Sequence, residues 1–164
     1  MAAGITYQPI QTQTLASAAS SVTFNSIPQG YTDLVLVVNY SLNAGGTGAA
    51  VRLQFNGDTG SNYSQTFMYG NGGSAVSGRA SNATSCDCGY MSTNGQGVSI
   101  TNIQNYSNTT TYKTALSRAG VVVGEVTAYV NLWRNTSAIT SMTVFAGSNY
   151  TIGSTFSLYG IASA

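Results

Sequence analysis

Five consecutive large aliphatic side chains, Leu34-Val35-Leu36-Val37-Val38, constrain this chain more than any other stretch, and no second run like it occurs. A strand with one wet face alternates apolar and polar residues, so an unbroken, valine-rich run predicts a core strand covered on both faces. A short buried helix and an interfacial strand are the alternatives; length and β-branching favour the core strand. The run is entered from Tyr31-Thr32-Asp33 and left through Asn39-Tyr40. Its second face must be covered by a loop, the N-terminal residues or another subunit.

Around it the chain reads as short strands and turns. Tyr7, Pro9, Ile10 and Leu15 are spaced as in an extended arm over residues 1–20, and Pro9 argues against a helix there. Ser21 to Asn25 alternates with Val22 and Phe24 inward, and Val51 to Asn56 with Val51, Leu53 and Phe55 inward and Arg52 outward. Asn56-Gly57-Asp58 is a turn, because Asn and Gly tolerate positive φ. Ser41 to Ala50 and Gly70 to Gly78 are Gly-rich and read as loops. Further strands are expected at Tyr63–Tyr69, Ser85–Met91, Val98–Thr101, Tyr112–Ser117, Gly124–Trp133, Ile139–Phe145 and Thr155–Ile161. A parity change near Asn102-Ile103 suggests a bulge, and Gly147-Ser148-Asn149 a turn. In Gly124–Trp133, Val126, Ala128, Val130 and Leu132 face one way and Thr127, Tyr129, Asn131 and Trp133 the other.

Eight to ten short strands with no helix pattern specify an all-β fold: a single-domain antiparallel β-sandwich, jelly-roll-like, over residues 21–164, preceded by the arm over 1–20. At 164 residues the chain is long enough for one real core.

Composition narrows function mainly by exclusion. Only 5% of residues are charged and the net charge is +1, against about 25% charged residues in an average soluble protein. That leaves no basic stripe for nucleic acid and no polybasic membrane anchor. So little charge defends a monomer poorly against association and suits a protein packed into an assembly. The N-terminus lacks the charged and apolar regions of a secretory signal. The Asn-x-Ser/Thr triplets, such as those at Asn39 and Asn149, follow from a Ser/Thr/Asn-rich composition.

There is no His, so His-based triads and most zinc sites are excluded. The carboxylates are Asp33, Asp58, Asp87 and Glu125, too scattered to read as a glycosidase pair without folding to join them. No catalytic residue, cofactor or metal is expected. Cys86-Asp87-Cys88 is the one oddity: i, i+2 cysteines on a strand share a face, with Cα atoms about 6.6–6.8 Å apart, at the edge of disulfide reach. Reduced structural thiols, a bridge and a metal pair all remain open there. The Gly-rich stretches lack the Lys of a phosphate loop. Eleven Tyr would suit either a carbohydrate-stacking face or half-buried sandwich positions.

Several stretches carry a family likeness: Ser17 to Pro28 leading into Tyr31 to Val37, Leu53 to Ser64, Tyr112-Lys113-Thr114, Leu132 to Ser141 and Gly153 to Ile161. The chain resembles small virion structural proteins of tailed bacteriophages, cyanophages among them, from about Tyr7 to Ala162. The resemblance implies a jelly-roll-like module on the phage particle and transfers no functional residue. It leads to the expectation of a capsid decoration (cement) protein on the outer surface of the virion. Its partners would be the major capsid protein and itself, as a homotrimer. The alternative is a tail-fibre or baseplate adhesin for host-surface glycan. The expected interface is Tyr7, Pro9, Ile10 and Leu15 from the arm with Val35 and Val37 from the aliphatic run. Ser41 to Ala50 and Gly70 to Gly95 look least like the family.

Overall fold

The structure is a computed structural model that describes residues 6–43, 48–91, 95–122 and 124–162. Its described residues form twelve strands and no helix. In chain order these are β1 (Tyr7–Thr14), β2 (Ala19–Phe24), β3 (Asp33–Leu42), β4 (Ala49–Phe55), β5 (Tyr63–Gly70) and β6 (Ala75–Ala83). They continue with β7 (Cys86–Met91), β8 (Gly95–Gln104), β9 (Lys113–Val121), β10 (Glu125–Trp133), β11 (Met142–Tyr150) and β12 (Thr155–Ile161).

All pairings are antiparallel and trace two layers. One runs β1-β12-β3-β8-β9-β10-β5-β6 and the other β2-β11-β4-β7, joined at a corner by the single pair Tyr150–Leu42. The fold is thus a jelly-roll-like antiparallel β-sandwich. β3 lies inside the wide layer between β12 and β8, and sends Leu34, Leu36 and Val38 into the core against Val22, Phe24, Leu53 and Val144. Burial of each such side chain contributes about 1.5–3 kcal/mol, and this layer contact is the main source of stability.

An aromatic cluster closes one end. Trp133 packs 5.5 Å from Phe55 and stacks at 6.3 Å on Tyr63. Asn56 and Gly57 both have positive φ, as the turn reading required. That turn delivers Asp58 to Trp133, whose Nε1 donates to Asp58 Oδ2 at 2.7 Å. Asp58 therefore does more than hold its own loop through Gly60 N at 2.9 Å.

Several local expectations change. The expected arm is not free over 6–20: β1 pairs along β12, the chain bends at Ala16-Ser17, and Ala19-Ser20 already open β2, while Leu15 N donates to Ser154 O and Gly153 N donates to Leu15 O. Residues 1–5 of the arm and 44–47 of the loop at Ser41–Ala50 lie outside the described residues. Gly70–Gly78 holds the first half of a strand, β6. The register through Asn102 and Ile103 is unbroken on both sides, so no bulge sits there. The parity change has a chemical origin: Ser99, Thr101 and Ile103 point inward, and Val98 and Ile100 outward. Gly147 to Asn149 falls inside β11 at a register shift, and the turn follows at Gly153, with φ 86°.

Candidate interaction surface

The wide layer has one face on the core and one facing out, and the outward face is unusually apolar. Register places three cross-strand rows on it: Asn39–Val98–Gly120–Val126, Val37–Ile100–Arg118–Ala128–Met68 and Val35–Asn102–Leu116–Val130–Thr66. Met68 is 67%, Val126 64% and Val130 53% exposed, with Val98 and Leu116 also open.

β10 explains how the face arises. Its polar set, Glu125, Thr127, Tyr129, Asn131 and Trp133, is the buried one, and Val126, Ala128 and Val130 are exposed. This reverses the usual pattern, in which the apolar half of an amphipathic strand packs inward. The cause is β7, which crosses over β8, β9 and β10 and carries a bulge where Val51–Gly89 gives way to Arg52–Asp87. Its backbone offers carbonyls to the layer beneath: Asn131 Nδ2 donates to Asp87 O at 2.9 Å and Ser99 Oγ to Cys88 O at 2.5 Å. Thr101 and Ser117 bond each other at 2.9 Å, and Tyr69 OH donates to Glu125 Oε1 at 3.1 Å. Polar side chains bonded in this way are stable inside, although Thr127 Oγ1 and Asn131 Oδ1 have no partner among the described residues; the valines are left for the outer face.

Charge in those three rows is sparse and of one sign, while Asp33 lies on the same face beyond them, in the row Tyr7–Ile161–Asp33. Arg118 stands in the middle row and Arg79 opposite Thr66 at the β6 edge, neither with an ion-pair partner among the described residues. The carboxylates are engaged elsewhere: Asp58 at the turn, Asp87 with Arg52 at 3.2 Å, Glu125 inside, and Asp33 accepting from Asn105 N at the margin. At one end of the face an open groove of about 830 Å³ runs between Val122, Val126 and Ile152, floored by Gly97 and Val98.

Of the residues expected at an interface, Tyr7, Pro9, Val35 and Val37 lie on this face. Pro9 and Val35 flank Tyr159 in one row, and Tyr7 and Val35 line a hollow of about 220 Å³ with Asn102 and Leu116. Val35 is only 6% exposed in the single chain, and Val37 is half-buried. Neighbouring side chains of the same face therefore already cover part of the aliphatic run. Ile10 and Leu15 are not brought to the face. They are half-buried against the core, because the register shift between Pro9 and Gln11 and the bonds at Leu15 turn them inward. Met68, Val98, Leu116, Val126 and Val130 were not singled out from sequence, although the alternation of β10 separated its apolar set correctly.

The two cysteines are free and buried. Burial first, then the neighbouring negative groups, pushes both thiols far above their ordinary value, the state of an inert structural thiol. Lys113 is buried too; burial lowers its pKa, and its ammonium donates to Thr111 O at 2.7 Å and Thr136 O at 3.1 Å. Among the described residues no three His, Cys, Asp or Glu side chains come together as metal ligands would.

No protein-family model matches the chain, and no curated protein matches it. Solved structures similar to it include exo-inulinase from Aspergillus awamori, at TM-score 0.42 and 12% identity over 95% of this chain and 30% of that one. Another is galectin LEC-6 from Caenorhabditis elegans, at TM-score 0.39 and 8% identity over 93% and 96% of the two chains. The PL-14 alginate lyase from Aplysia kurodai has TM-score 0.37 and 10% identity over 84% and 72%. The chain spans less than a third of the inulinase structure. At this level of similarity none of them assigns a family or an activity.

Proposed function

We propose that this chain is a non-catalytic structural protein of a bacteriophage virion, a capsid decoration protein that docks on major capsid subunits through the outer face of the wide layer. One observation carries the reading: an outward sheet face of Val98, Leu116, Val126, Val130 and Met68, crossed by Arg118 and bearing no carboxylate in its three rows. Contiguous exposed apolar surface on a β-sheet is unfavourable for a free monomer and favourable in a permanent contact. Arg118 suits a partner that brings a carboxylate, since a buried guanidinium needs one. Oligomerisation as a homotrimer on the outer surface of the head follows from the same resemblance to phage virion proteins and from the closed symmetry of such particles.

A second reading, a tail-fibre or baseplate adhesin for host glycan, is favoured by the half-exposed rings of Phe67 and Tyr69 on β5 and Tyr90 on β7, with Asp87 bonded to Gln65 on the same face of β5. Quantitative mass spectrometry of purified particles separates the two. Decoration predicts on the order of hundreds of copies per particle, following capsid symmetry. A handful of copies overturns it in favour of the tail.

A further inference from the structure

The eight-stranded layer is wider than the four-stranded one that covers it. β7 is the edge of the smaller layer and reaches only as far as β10 and the near side of β5. β6 is therefore uncovered, with no buried residue along its length. The core-side face of the β5–β6 hairpin forms an open shelf, walled on one side by β7.

The shelf carries a specific set of groups. Gln65, Phe67 and Tyr69 share the core-side face of β5, and all are half-buried. The Phe67 ring lies over Gly78, where a Cβ would stand 2.7 Å from it, and tilts against Tyr129 at 6.0 Å. Tyr90 meets Tyr69 edge to face at 6.3 Å. Between Asp87 and Tyr90, β7 contributes only Cys88, whose thiol turns inward to Val51 O, and Gly89. At the Gln65 end, Asp87 accepts from Gln65 Nε2 at 2.7 Å and from Arg52 Nε at 3.2 Å. Its carboxylate and the Arg52 side chain remain 21% and 40% exposed.

We propose that this shelf is a saccharide-binding site that takes one uncharged hexose ring. A pyranose has an apolar C–H face and a rim of hydroxyls. The open part of the Phe67 and Tyr69 rings suits the first. For the second, the terminal guanidinium nitrogens of Arg52 supply donors and the Asp87 carboxylate supplies acceptors beside them, while Gln65, whose Oε1 accepts from Asp87 N at 3.0 Å, holds Asp87 in place. This arrangement matches a pair of adjacent hydroxyls that each donate and accept. The Arg52–Asp87 pair is neutral overall, so the shelf offers no net charge for an acidic sugar to pair with. The shelf and the apolar face lie on opposite sides of the same hairpin, so a molecule docked by one keeps the other open. The inference rests on the glycan chemistry of the second reading and not on a location in the tail.

The test is titration of the ¹⁵N-labelled protein with the methyl glycosides of galactose, glucose and mannose and with N-acetylglucosamine. At least one should shift the amides of Phe67, Tyr69, Gly78 and Gly89 and leave those of Val98 and Val130 unmoved. Phe67→Leu, which keeps an apolar cover on Gly78 but removes the ring, should weaken that binding about tenfold. Arg52→Lys, which keeps the charge but loses the planar fork, should weaken it similarly. Absence of shelf shifts with all four sugars overturns the proposal, as does undiminished binding in both variants. Either outcome leaves copy number and outer-face docking unaffected.

Discussion

Replacing Asp58 by Asn tests how a turn at the sandwich end is coupled to the core. The two carboxylate oxygens divide their work: Oδ2 accepts from Trp133 Nε1 at 2.7 Å and from Asn62 Nδ2 at 3.0 Å, and Oδ1 from Gly60 N at 2.9 Å. An amide has one oxygen, so in either orientation its NH₂ meets a donor. If the amide nitrogen faces Trp133, an indole N–H on a residue 1% exposed loses its only acceptor. Leaving such a donor unpaired costs about 1–3 kcal/mol, so Asp58→Asn should lose about 2 kcal/mol. For a domain of this size that is about 4–8 °C in Tm, or about 1 M in urea midpoint if m is near 2 kcal/mol/M. Desolvation pushes the Asp58 carboxyl up, but the bonds from Trp133, Asn62 and Gly60 outweigh it, and its pKa falls below the ordinary value. A depressed folded pKa stabilises above the unfolded value of about 3.9 and is lost as pH drops through the folded value. The gap between wild type and variant should therefore be full at pH 7 and should shrink below about pH 4. Urea melts at pH 7 and pH 2.5 read both effects. Equal midpoints at pH 7, or a gap undiminished at pH 2.5, would refute the reasoning.

The outer face offers a separate test through Val126→Thr with Val130→Thr, which keeps shape and β-branching but adds a hydroxyl to each. Because both positions are exposed, unfolding should move by less than about 0.5 kcal/mol per site. Rebinding to particles stripped of the protein should weaken about 30-fold or more, since each hydroxyl buried without a partner costs about 1–3 kcal/mol; unchanged rebinding in a sedimentation assay contradicts the docking face. The thiols give a third expectation: at pH 8 a disulfide reagent should label neither Cys86 nor Cys88 in the native protein and both in denaturant. Labelling faster than unfolding would show that they are accessible.

How much of this was legible depended on what each residue needed from afar. β3, β4 and the Asn56-Gly57 turn were legible because their signals are local: an aliphatic run, an alternation around Arg52 and positive φ at Asn and Gly. β6 was not, because Ala75–Ala83 is exposed on both faces and so never acquires a hydrophobic period. β1 reads as an arm for a similar reason, its outward residues facing solvent although it pairs along β12 on both sides of Ile10. The orientation of β10 was out of reach for a different reason. Which half of its alternation turns inward is decided by carbonyls of β7, some forty residues earlier in the chain and bent by a bulge that no residue type announces. The candidate surface inherits that limit: Val35 and Val37 were found from a run, whereas Val126, Val130 and Met68 depend on the inversion.

Methionine oxidation footprinting tests the docking claim most directly. Met68 is 67% exposed at the β5 end of the middle row of the apolar face, while Met91 and Met142 are fully buried and serve as internal references. A peroxide or hydroxyl-radical pulse on the free protein should oxidise Met68 and spare the other two. On particles carrying the protein, the account predicts that Met68 becomes as protected as Met91. Oxidation of Met68 on the particle at the rate seen in the free chain would contradict it.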